Sequence, residues 1–278
     1  MFLWTKLLVT GAIAASLTSC GGGDSTGNHV KGQLMQPDAI SAKSHQATGL
    51  PAHFGDTAPH DWSGRAPDRY AIHGIDASRY QGVIDFEAAK RAGVSFAWLK
   101  GTEGGDRVDP GLAQNLAGAR RAGVPVGAYH FYYFCRPAAE QARWFIDHID
   151  RQKGDLPPVL DIEWNHTSPS CKKRPDAATV RQEMHVFLDA LTAHYGTAPV
   201  IYTTPDFWKD NQLGKLGTYD FWLRSVAGHP SETYPGARWI FWQYTGTGVV
   251  PGVGGTADLN AFNGSAAGWS NWLKTRQQ

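Results

Sequence analysis

From Tyr70 onward, short apolar runs alternate with longer amphipathic ones. Residues 72–78, 95–100, 125–134, 157–164 and 199–203 are apolar runs of strand length, bounded by Gly, Pro or polar clusters. Between them the apolar positions recur at helical spacing, over 86–92, 110–122, 137–152 and a long segment up to Tyr195. The punctuation agrees. Pro137 opens one helix and Gly154 lies beyond its end, while Asp176 caps the long helix and Gly196 stops it. Residues 206–211 suggest one more short helix. Three further strands, 221–226, 239–244 and 257–262, follow with few helical residues between them. Strands alternating with helices predict βαβ units and a parallel sheet. Eight strands in one stretch predict an α/β domain over 70–278, a single (β/α)8-type barrel with its last helices reduced.

One stretch carries the chemistry. Residues 157–164 read Pro-Pro-Val-Leu-Asp-Ile-Glu-Trp, an apolar run ending in two carboxylates. Strand side chains alternate faces, so Asp161 and Glu163 point the same way, with α-carbons roughly 6.6 Å apart. Two like charges this close on a buried strand oppose each other's ionisation, and one carboxyl keeps its proton near neutral pH. An acid beside a carboxylate is what glycosidic bond cleavage requires. The same pair would also suit two solvated strand-end groups. Position favours chemistry, because Asp76, Glu103, Asp161, Glu163 and Asp258 all fall at or just after expected strand ends, where barrels of this kind place their sites.

The N-terminal region adds an address. Lys6 precedes a mostly apolar or small segment over 7–17, too short to span a bilayer comfortably. Leu17-Thr18-Ser19-Cys20 then resembles the lipobox of bacterial lipoproteins. That implies a signal peptide over 1–19 and a lipid on Cys20. The protein is then exported and anchored to the cell envelope, on the outer membrane in a Gram-negative cell. Residues 20–69 are rich in Gly, Ser, Thr, His, Pro and Asp without sustained apolar periodicity, which predicts a flexible tether with a span of order 40 Å. Of three Cys, one goes to lipid, leaving Cys135 and Cys171 as the expected disulfide. The net charge of +1 gives no sign of a nucleic-acid partner. No His or Cys cluster has metal-ligand spacing, and neither metal nor cofactor is expected. The 11 Trp and 10 Tyr favour a sugar ligand, although most belong to a core. A monomer is expected.

Seven short motifs occur in order: Gly74-Ile75-Asp76-Ala77-Ser78, Lys100-Gly101-Thr102-Glu103-Gly104, Gly127-Ala128-Tyr129-His130-Phe131, Asp161-Ile162-Glu163, Ile201-Tyr202-Thr203, Trp242-Gln243-Tyr244 and Asp258-Leu259-Asn260. Together they resemble the family 25 glycoside hydrolases, lysozymes that act as N-acetylmuramidases. Gly101 replaces the family's usual Ala, and the stretch from Thr167 to Arg174, with Cys171, looks like a local insertion. The resemblance implies that Glu163 is the general acid and Asp161 its partner. Asp76 and Asp258 line the pocket from the first and last strands. Tyr129, Tyr202, Trp242 and Gln243 contact the sugar. Each has a plainer alternative. Tyr129 and Tyr202 suit a barrel core, Trp242 could face the helices, and His130 suits a hydrogen-bonded barrel position. Glu103, a further substrate-binding candidate, could simply pair with Lys100.

The implied activity is hydrolysis of the β-1,4 bond between N-acetylmuramic acid and N-acetylglucosamine, with peptidoglycan glycan strands as the partner. Two alternatives stand beside it: a chitinase-like glycosidase, and a non-catalytic peptidoglycan-binding lipoprotein.

Overall fold

The computed structural model describes residues 50–276. The expected signal segment, Cys20 and the first part of the tether lie outside them. Eight strands close a barrel: β1 (His73–Ala77), β2 (Val94–Glu103), β3 (Val126–Phe131), β4 (Val159–Asp161), β5 (Val200–Thr203), β6 (Asp220–Arg224), β7 (Phe241–Val249) and β8 (Ala257–Phe262). Each is hydrogen-bonded to the next, and β8 closes the ring on β1. The helices are α1 (Phe86–Ala92), α2 (Leu112–Ala122), α3 (Ala138–His148), α4 (Ala177–Tyr195), α5 (Pro205–Asn211), α6 (Pro230–Thr233) and α7 (Ala266–Arg276).

The eighth strand departs from an all-parallel barrel. Pairings from β1 through β7 are parallel, but β8 runs antiparallel to both β7 and β1. Strand β7 extends to Val249, so only residues 250–256 join it to β8. A parallel crossover needs a dozen or more residues, so this link can only make a hairpin. Asp258 therefore stands near the start of its strand rather than its end, yet reaches the same barrel mouth. Its α-carbon is in register with that of Asp76.

Helix punctuation acts as read. The Asp176 carboxylate accepts from the N–H groups of Ala178 and Thr179 at the start of α4, and Gly196 takes φ 68° at its end. Helix α7 was not legible as a periodic segment. Its Trp269 and Trp272 are buried one turn apart, against Phe96, Phe241 and Phe262 at the foot of the barrel. With Trp98 and Trp222 stacked at 4.9 Å, these rings fill the lower interior. A second apolar layer, including Ile75, Leu99, Leu160, Ile201 and Phe187, lies between the strands and the helices.

The tether does not run to residue 69. Gly55 and Asp56 pair with Val249 and Gly248 of β7, and Pro67 is buried. Phe54 and Trp62 pack against the barrel's outer layer, with the Trp62 ring edge-on to Trp242 at 5.1 Å. Composition hid this, because a few apolar anchors and one backbone pairing suffice to hold a Gly- and Pro-rich segment. Cys135, after β3, and Cys171, between β4 and α4, are bonded to each other, with α-carbons 5.8 Å apart.

Candidate active site

A groove of about 640 Å³ opens at the C-terminal ends of the parallel strands. Strand parity decides what faces it. On β4, Val159, Asp161 and Glu163 face inward in sequence, with Leu160 and Ile162 in the outer layer. The hydrogen bonding continues past the last regular residue of β4: Ile162 N–H donates to Tyr202 O at 3.1 Å, and Thr203 Oγ1 to Ile162 O at 3.0 Å. Glu163 thus keeps the alternation and shares the groove with Asp161.

Asp76, from β1, anchors the opposite wall. Its Oδ1 accepts from Gln243 Nε2 at 3.0 Å and Asn260 Nδ2 at 2.7 Å. Both amides are held in turn. Trp222 Nε1 donates to Asn260 Oδ1 at 2.7 Å, and the Tyr202 hydroxyl to Gln243 Oε1 at 2.9 Å. The network spans β1, β5, β6, β7 and β8, so the position of Asp76 depends on most of the barrel.

Four of the groove carboxyls, Asp76, Asp161, Glu163 and Asp258, are pushed upward. Burial, then the facing charge of Asp258, holds Asp76 well above the usual carboxylate range. Burial raises Asp258 to about 6, with the Arg224 guanidinium opposing it. Burial, then the Glu163 charge, holds Asp161 well above its ordinary value. Burial raises Glu163 to about 7 against the pull of Arg224, with Asp206 adding to the rise. Asp161 has a further distinction. Its Oδ1 is the one buried side-chain polar atom among the described residues that no protein donor reaches. Leaving such an acceptor unsatisfied costs about 1–3 kcal/mol.

The structure brings Glu163, Asp161, Asp76, Asp258, Tyr129, Tyr202 and Gln243 to this groove. It does not bring Trp242 or Glu103. Trp242 is fully buried on the outer side of the barrel. Its Nε1 donates to Ser225 O at 2.7 Å, and Tyr70, His229 and Trp239 surround its ring. Neighbours on a strand face opposite ways, so Trp242 and Gln243 cannot both point inward. Glu103 pairs with Lys100, and Tyr133 Oη donates to it at 2.8 Å. Burial opposes its charge, but the Lys100 bond prevails and holds its carboxyl below the ordinary value. His130 is sealed between Thr102 Oγ1 at 2.7 Å and Gln141 Oε1 at 3.0 Å, and burial lowers its ring to about 4.

Trp222, Arg224 and Asn260 were missed as site residues, although Trp222 and Arg224 line the groove and Asn260 braces Asp76. Parity would have found one of them, since Asn260 is two positions from Asp258. Among the described residues, no group of three His, Cys, Asp or Glu is placed to hold a metal ion.

Residues 75–253 match the profile of Glycosyl hydrolases family 25. The chain belongs to this family. Lysozyme M1 of Streptomyces globisporus is 36% identical over 216 residues, which is 72% of this chain and 70% of that protein. The YegX protein of Escherichia coli K12, described as uncharacterized, is 34% identical over 72% of this chain and 73% of its own length. The solved family 25 glycosyl hydrolase of Bacillus anthracis superimposes with a TM-score of 0.70 at 32% identity, covering 78% of this chain and 98% of that one. The family 25 protein is a glycoside hydrolase, and its barrel mouth, with four inward carboxyls, is the candidate active site.

Proposed function

We propose that the protein is a muramidase that cuts the β-1,4 bond between N-acetylmuramic acid and N-acetylglucosamine in peptidoglycan. Its family membership and its lysozyme relatives support this substrate. The Asp161–Glu163 pair is the observation that carries the mechanism. Glu163, with its carboxyl raised to about 7, is the general acid that protonates the leaving oxygen. Asp161 shares its strand and its side, which suits neither direct displacement nor a water held between two facing acids.

The 2-acetamido oxygen of N-acetylmuramic acid is the nucleophile in this reading. It attacks the anomeric carbon as the glycosidic bond breaks and Glu163 gives up its proton. The unmatched Asp161 Oδ1 accepts from the acetamido N–H, which turns the group and stabilises its developing positive charge. Before substrate enters, burial favours the protonated form of both Asp161 and Glu163. The acetamido donor favours the Asp161 anion, and the covering sugar favours protonated Glu163. Substrate thus puts the proton where the reaction needs it. Water then opens the cyclic intermediate, with Glu163 as base. Asp76 and Asp258 supply negative potential from the opposite wall.

We also propose export and anchoring through Cys20, on the strength of the apolar segment and the Leu17–Cys20 motif. Zymography on purified wall, with chitin as control, tests the activity. Wild type should clear the wall and leave chitin intact, and Glu163→Gln should lose about 10²–10⁴-fold in rate. Clearing of chitin alone, or of neither, would refute the reading. Proton NMR of the first product tests the mechanism: retention is required, and an initial α-anomer would rule out the acetamido role.

A further inference from the structure

A second cavity, of about 660 Å³, lies beside the groove. One wall is β7 with Arg224 of β6, and the other is the segment over residues 50–67. That segment precedes the stretch matched by the family profile. It is firmly mounted. Besides the Gly55–Asp56 pairing, Thr57 N–H donates to Thr247 O at 2.9 Å, and Thr247 Oγ1 to Asp56 Oδ1 at 2.5 Å.

The lining is mainly apolar and aromatic, with Phe54, Pro59, Trp62 and Leu259. Its two charged groups are Asp56 and Arg224. The Asp56 carboxylate is committed to Thr247 and to the Ala58 N–H. The Arg224 guanidinium makes no hydrogen bond or ion pair among the described residues, and it borders both the cavity and the catalytic groove. A sugar ring, neutral and covered in hydroxyls, would leave many polar atoms unmatched against these walls. A chain of methyl-bearing units with a carboxylate fits the apolar walls and the Arg224 guanidinium.

Resting on the muramidase reading, we propose that this cavity receives the first residues of the substrate's peptide stem, with Arg224 taking a stem carboxylate. The stem leaves the muramic acid through a lactyl group and begins with alanine and glutamate, which supply the methyls and the acid. The segment over 50–67 would then be a specificity wall that makes stem-bearing glycan the preferred substrate.

The test uses two soluble substrates prepared from one glycan, with stems intact or removed by an amidase. The readout is the ratio of their kcat/KM values. Wild type should favour the stem-bearing glycan by about ten- to a hundredfold, the range of a charge-assisted contact. Ala58 lines the cavity with an exposed side chain, so its substitution should leave the barrel folded. Ala58→Asp sets a carboxylate against the stem and should lower the ratio by roughly threefold or more, whereas Ala58→Lys should hold or raise it. The stripped glycan is the internal reference for each variant. Equal rates on both substrates, or one ratio for all three proteins, would overturn the proposal while leaving the muramidase reading intact. Cleavage of neither substrate would overturn both.

Discussion

Asp161 and Glu163 stand two positions apart and differ in burial, Asp161 being buried and Glu163 half-buried. Neither is free to ionise as an isolated carboxyl would: burial and then the Glu163 charge raise Asp161, and burial raises Glu163 against Arg224, with Asp206 and Asp258 adding to the rise. Only Asp161 holds a buried oxygen with no protein partner. Asp161→Asn removes the charge that stabilises the acetamido group and turns an acceptor into a possible donor. Its kcat should fall about 10²–10³-fold with a smaller change in KM, as steady-state kinetics on soluble muropeptides would show. In wild type, kcat/KM should decline as pH rises through about 7, because a general acid must keep its proton. An alkaline limb that persists unmoved in Glu163→Gln would assign that ionisation elsewhere.

Strand alternation governs the elements. On β7, Gln243 serves the groove and Trp242 serves the outer aromatic layer; on β6, Trp222 faces inward and donates to Asn260. Trp242→Phe should leave kcat/KM unchanged and lower Tm, since the buried Ser225 carbonyl loses its donor. The loss is about 1–3 kcal/mol, at roughly 2–4 °C per kcal/mol. Trp222→Phe should lower kcat, because the Asn260 amide that holds Asp76 is no longer fixed. Thermal melts and kinetics on both variants separate the two roles. The loop between β4 and α4 carries Asn165, His166 and Thr167 at the groove and is tied down by Cys171. The bond closes 36 residues of sequence separation. Replacing Cys135 and Cys171 with Ala should cost about 2–4 kcal/mol by denaturation while leaving measurable hydrolysis.

At the scale of the whole molecule, the site strains the fold. A carboxyl with a raised folded value contributes stability below its unfolded value, and that contribution is lost as pH rises through the folded one. For Asp258 the window runs from about 4 to about 6. Asp258→Asn should therefore raise Tm at pH 8, with the gain shrinking as pH falls toward 4, and should depress activity throughout. His130 has the opposite sign. Its lowered value of about 4 means stability lost as pH falls from about 6.5. Calorimetry across this range would expose both limbs. The proposed anchor also belongs to the whole chain. Cys20→Ser should move the protein from the membrane fraction to the soluble one with specific activity unchanged, as fractionation and palmitate labelling would show.

Periodicity, turn residues and cap chemistry are local, so the eight strands, the Asp176–Gly196 helix and the inward Asp161–Glu163 pair could be read along the chain. Alternation alone also excludes Trp242 from the face of Gln243, and Asn260 shares the face of Asp258 for the same reason. Direction and closure are not local. The antiparallel β8 depended on how far β7 extends, which is settled by pairing with its neighbours rather than by propensity. Helix α7 owes its place to two indole rings that find the barrel floor, a destination no 3.6-residue period encodes. Residues 50–69 fold onto the barrel through anchors scattered among turn formers, and only the assembled barrel supplies the surface that holds them. The proton affinities of the four carboxyls belong to the same class. They arise from burial and from charges far apart in sequence, and so exist only once the barrel has closed.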